Sequence, residues 1–232
     1  MNTLIFIRKM IRYNMKIIFA NKFIWFFLAA LGFYLFFMVN SVWEGARIDS
    51  ELVYNIILFP GILLIFYPTV FGIQHDADSR ILEILFGIPD YRYKVWLVRL
   101  VLIFVQTYLI LVVFGLMASL LLYPVNIWLM ALQVMFPVLF LGCLAFMVST
   151  LVRNGNGTAV VMVIIGVLLL IFSNSLYRTM WNIFMNPYDI PRGFNEMIWQ
   201  TIALKNRIFL AVGAIVFMLY GLFNLQKREK FA

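Results

Sequence analysis

Long apolar runs with no charge at their centres restrict what this chain can fold into more than any other feature of it. A helix that crosses a bilayer needs about 20 mostly apolar residues. Six segments reach or approach that length: residues 23–42, 53–73, 95–122, 127–152, 159–176 and 208–225. The third and fourth are long enough to tilt or to project beyond the hydrocarbon, and only Tyr123-Pro124-Val125-Asn126 separates them, which reads as a tight hairpin turn. The fifth and sixth are short. Across the chain 65% of residues are hydrophobic and 12% are charged, against about 45–50% and about 25% in soluble domains. A water-soluble fold of 232 residues could not hide that much apolar surface. In lipid, backbone polar groups must be satisfied within the spanning element itself. The expected fold is therefore an all-α membrane protein with six transmembrane helices. The first run is too long for the core of a cleaved signal and a second run follows it quickly, so it is expected to be a retained span.

The formal net charge is +8. These basic residues lie at the edges of the apolar runs, where they meet anionic lipid headgroups rather than nucleic acid. Their distribution sets an orientation. Thirteen Lys/Arg fall in the N-terminal segment, the loop after the second run with its flank, the turn at Arg153 and the C-terminal tail, against five on the other side: Arg47, Arg178, Arg192, Lys205 and Arg207. Both termini are thus expected in the cytoplasm. Residues 1–22 are not a span. Arg8, Arg12 and Lys16 recur at i, i+4, i+8, with Ile7, Ile11, Met15 and Ile18 on an adjoining face. That pattern predicts a basic amphipathic helix in the interface plane, preceding a six-span domain over residues 23–232.

Reactive chemistry is sparse. The middles of the six runs hold no Asp, Glu, Lys, Arg or His, whereas proton-driven transporters bury such groups. Gln106 and Gln133 are candidates to line a pathway, with helix-to-helix hydrogen bonding as the plainer role. Pro60, Pro68 and Pro137 fall inside runs, as tolerated kinks or as hinges. Cys143, the single cysteine, reads as a small buried hydrophobe. His75 stands beside Asp76 and Asp78, a set too small to argue for a metal. Asn154-Gly155-Asn156-Gly157 is expected to be a flexible turn, not a phosphate loop, because it lacks the following Lys and Ser/Thr. No G-x-x-x-x-G-K-[ST] pattern occurs, so energy from ATP would have to come from another polypeptide. The outer segment 173–207, with Trp181, Pro187, Pro191, Gly193 and Trp199, is expected to hold short helices folded back on the membrane.

The most informative loop runs from His75 through Asp76, Asp78 and Arg80 to Pro89. Its centre is strongly apolar. Asp76 and Asp78 favour a helix start, Gly87 and Pro89 favour its end, and Ile81, Leu82 and Leu85 share a face with Glu83 pointing elsewhere. A short amphipathic helix is expected, packed on the membrane or docked into a groove on a soluble partner. Here the chain resembles the first cytoplasmic loop of ABC-2 type permeases, the membrane subunits of ATP-binding cassette exporters. That loop reads acidic, then Gly-Thr-Leu-Glu-x-Leu-Leu-x-x-Pro, with a basic residue further on. Leu82-Glu83-Ile84-Leu85-Phe86-Gly87-Ile88-Pro89 is similar to its second half, Asp76 and Asp78 stand for the leading acids, and Arg99 for the basic residue. Arg80-Ile81 replaces Gly-Thr. The outline of the chain is also similar throughout.

The resemblance implies that Asp76, Asp78, Arg80, Leu82, Glu83, Leu85, Gly87 and Pro89 form a coupling helix against a separate nucleotide-binding ATPase subunit. It also implies a second permease chain, identical or homologous, with the pathway between the two. ATP and Mg would then be bound by the ATPase, with no cofactor on this chain, and the location would be the cytoplasmic (inner) membrane. Haem-export permeases of cytochrome c maturation have a similar outline and form one alternative. A non-transporting membrane scaffold or assembly factor is another. An intramembrane enzyme fits least, for want of ionisable groups.

Overall fold

A computed structural model describes residues 23–78 and 92–225. Six long helices account for most of them: α1 (Phe23–Trp43), α2 (Ser50–Asp78), α3 (Val98–Leu121), α4 (Ile127–Val152), α5 (Gly155–Ser175) and α6 (Glu196–Asn224). A wide π-type turn, Arg92–Leu97, leads into α3. All six are long and apolar enough to cross a membrane, and no strand occurs among the described residues. The chain is a multi-pass, all-α membrane protein.

Side chains of the Asn/Asp type mark four of the helix starts, where backbone N–H groups lack partners within the helix. Asp49 accepts from Leu52 N at the head of α2. Asn126 does so for α4, Asn154 for α5 and Asn195 for α6. The hairpin at 123–126 is as the sequence predicts. The next turn is tighter than expected. Residues 155–157 are not a flexible loop but the first turn of α5, because Asn154 Oδ1 accepts from both Asn156 N and Gly157 N. The reversal is made at Arg153, whose backbone is left-handed (φ 59°), and at Asn154.

The sixth helix departs most from expectation. It starts at Glu196, twelve residues before position 208, so Arg207 and Lys205 lie inside a helix rather than in a loop before one. The segment between α5 and α6 is correspondingly shorter than 173–207, and residues 176–195 form turns with no helix among them. Likewise, positions 76 and 78 are the last turn of α2, not the start of a separate helix. Pro60, Pro68 and Pro137 sit within helices, as expected.

Helix α4 is the hub and packs against α2, α3, α5 and α6. Lipid tails give no hydrophobic drive for helix association, so close packing and interhelical hydrogen bonds must supply it. Glycine permits the close approach. A Cβ at Gly213 or Gly221 of α6 would come within 2.5 and 2.7 Å of the Phe140 and Phe146 rings of α4. One at Gly142 of α4 would meet Ile65 of α2 at 2.6 Å. Hydrogen bonds tie the same pairs: Ser149 Oγ donates to Val70 O (3.1 Å), and Asn224 Nδ2 donates to Thr150 O (2.8 Å). The Tyr34 ring stacks on Phe114 at 4.6 Å and its hydroxyl donates to Phe114 O, joining α1 to α3. Cys143 is buried on α4, as the sequence predicts. The outer faces of α1 and α5 stay apolar and exposed, as lipid-facing surfaces must be.

Candidate functional site

Arg207 is 5% exposed although it carries a full-length guanidinium. It lies three turns into α6, and that depth brings it level with the Ser50 end of α2 and the Ile127 end of α4. Four hydrogen bonds hold it. Nε donates to Gln133 Oε1 of α4 (2.8 Å) and Nη1 to Asn206 Oδ1 (2.8 Å). Nη2 donates to the Tyr54 hydroxyl of α2 (3.3 Å) and to Met185 O (3.2 Å). The rings of Tyr54 and Phe136 lie 5.9 and 5.8 Å from the guanidinium carbon. Every acceptor is neutral. Among the described residues the one ion pair is Arg47–Asp49, at 3.7 Å. Burying a guanidinium without a carboxylate partner is costly unless its donors are satisfied, which makes this arginine the first candidate for a functional position.

The segment 176–195 is drawn over this arginine by amides. Asn206 Nδ2 donates to Met180 O and to Asn182 O (2.8 Å each). Asn182 Oδ1 accepts from Ser173 Oγ and Phe184 N. Asn186 Nδ2 donates to Glu51 O (3.0 Å) and Asn55 Oδ1 (3.2 Å), and Trp199 Nε1 to Pro187 O. The cover is therefore tied to α2, α5 and α6 together. Burial, then Tyr54, raise the Tyr188 hydroxyl above its usual range, with Arg207 pulling the other way. Tyr177 is pushed up to about 12, first by desolvation and then by the Asp189 carboxylate to which it donates at 2.6 Å.

Next to this centre, an apolar cavity of about 400 Å³ lies between α2 and α5 over a floor from α4. Asn55 and Phe184 line the end of it nearest the 176–195 segment, and Thr69 lines it three to four turns further along α2. The site contains a fixed positive charge, several amides and an apolar groove. It presents no nucleophile–base pair. It is suited to binding and to holding helices in register.

Of the candidates from sequence, Gln133 belongs to the Arg207 network, while Gln106 is half-buried on α3 outside it. Arg99 is buried at the opposite end of the bundle, its guanidinium carbon 4.6 Å from the Trp96 ring. Arg8, Arg12 and Lys16, and the loop residues Arg80, Leu82, Glu83, Leu85, Gly87 and Pro89, lie outside the described residues, as do the side chains of Asp76 and Asp78. Arg207 itself was readable in principle. Trp199, Ala203 and Asn206 extend the buried stripe of Leu210 and Ala214 upstream of residue 208, and Asn195-Glu196 is a helix-start signal.

No protein-family model, curated protein or solved structure matches this chain.

Proposed function

We propose that this chain is the membrane-spanning subunit of an ABC-type exporter, supplying the substrate pathway and coupling to a separate ATPase subunit. The observation that carries the proposal is α2. It is one continuous helix from Ser50 to Asp78. Near its outer end Tyr54 accepts a hydrogen bond from Arg207. Its inner end leads straight into the Leu82–Pro89 sequence that resembles the coupling loop of ABC-2 permeases. A push on that loop would travel along α2, which continues unbroken through Pro60 and Pro68, and arrive at Tyr54, where α2, α4, α6 and the 176–195 cover meet. Small displacements of packed elements are the ordinary currency of such transitions. The orientation that suits this mechanism has both termini in the cytoplasm of the inner membrane, as the Lys/Arg distribution favours. ATP and Mg would be held by the partner, and a second permease chain would complete the pathway.

The test is co-purification from the native membrane. An ATP-hydrolysing subunit should come with the wild-type chain and be lost on Glu83→Lys or Asp78→Lys. A chain that purifies alone and moves substrate in ATP-free vesicles would sink the proposal.

A further inference from the structure

A second groove runs down the outside of α6. Its volume is about 600 Å³, and its walls are Ile208, Val212 and Val216 of α6 on one side and Trp181 and Phe140 on the other. The Phe140 ring is tilted against Phe209 at 5.9 Å and in T-shaped contact with Phe217 at 5.2 Å, with Trp181 in T-shaped contact with Phe209 at 4.9 Å. Lys205 is its single charged residue and sits at one end. From Lys205 to Phe217 is twelve residues of helix, or about 18 Å. One leaflet of hydrocarbon is about 15 Å deep. The groove therefore has the length of one acyl chain, an indole at the depth where tryptophan prefers the interface, and an ammonium at headgroup level. Lys205 is exposed and forms no ion pair among the described residues. The α2–α5 cavity, by contrast, has no cation on its wall.

We propose that the α6 groove is a binding site for an anionic glycerophospholipid of the leaflet on the 176–195 side. One acyl chain lies along Val212 and Val216, and the phosphate meets the Lys205 ammonium. Charge complementarity selects the headgroup, and the aromatic floor and apolar walls hold the tail. The inference is independent of the transporter assignment.

The test uses the full chain in bilayers of mixed phosphatidylglycerol and phosphatidylcholine, with one of the two brominated on its acyl chains. Bromine quenches nearby indoles, and the Trp181 signal is the difference between wild type and Trp181→Phe. Brominated phosphatidylglycerol should quench it with about fivefold stronger apparent association than brominated phosphatidylcholine, the ratio for one lysine at an anionic surface. Lys205→Ala should bring the two lipids to equality and Lys205→Arg should keep the preference. Val216→Phe, which fills the groove, should weaken quenching by both. Equal quenching in the wild type overturns the proposal, as does a preference that survives Lys205→Ala. No quenching by either lipid means that protein covers the groove, a second copy included, and overturns it too.

Discussion

At the scale of residues, Arg207 is where this chain spends stability on a polar group. Removing it leaves Gln133 and Tyr54 without a cross-helix donor and the Met185 carbonyl with one fewer. Arg207→Ala should therefore destabilise the detergent-purified protein by about 3 kcal/mol, with Tyr54→Phe costing about 1–2 kcal/mol. Arg207→Lys should not rescue it, because an ammonium cannot reproduce the fork that reaches Gln133, Asn206 and Tyr54 together. Thermal unfolding of the three variants in one detergent checks the ranking. Tyr177 adds a pH dependence. Its hydroxyl is raised in the folded state, so its contribution is fully present below the ordinary tyrosine range and is lost as pH rises from about 10 toward about 12. Tyr177→Phe should flatten the alkaline fall in stability over that window. None of this was visible as a pattern of residue types. Gln133 was singled out as a polar residue in an apolar run, but its partner lies seventy-four positions away, and only the packing of α6 on α4 brings them together.

At the scale of helices, hydropathy placed the first four spans well because their ends coincide with a change of composition. Asn126 closes the 123–126 turn where the sequence says it should. The fifth and sixth starts were misplaced for one physical reason. Gly155–Gly157 and Glu196–Arg207 are too polar or too small to read as membrane helix, yet Asn154 and Asn195 cap both stretches and tertiary contacts hold them. Asn195→Ala should cost about 1 kcal/mol and fray the first turn of α6, seen as faster amide exchange over residues 196–199. The glycine contacts make a sharper claim. Gly221→Leu must force the Phe146 ring and the Met147 backbone away from α6, and overpacking of this kind costs about 1–3 kcal/mol or more. Gly166→Leu on α5, at the wall of the α2–α5 cavity, where nothing lies within 4 Å of an added Cβ, should be tolerated. Comparing the yields of folded protein for the two variants separates them.

At the scale of the molecule, six spans and an all-α bundle were legible from charge-free length alone. The buried charge centre was not, because Arg207 adjoins the 208–225 run and residue type alone does not separate a headgroup-facing flank from a buried cation. The structure of the loop at residues 79–91, which carries the family resemblance, is outside what is described. The orientation is open to a direct check. A cysteine at Glu44 should react with an impermeant maleimide added outside intact cells, and one at Asn156 should not. The reverse pattern would invert the topology and put the Leu82–Pro89 loop on the wrong face for an ATPase. In the proposed mechanism this loop takes up a partner's ATP-driven movement and passes it along α2. A cysteine at Leu82 in the assembled complex, crosslinked to the co-purified ATPase, tests it most directly. The crosslink yield should differ between nucleotide-free and ATP-trapped states; no crosslink, or one that is the same in every nucleotide state, would contradict this mechanism.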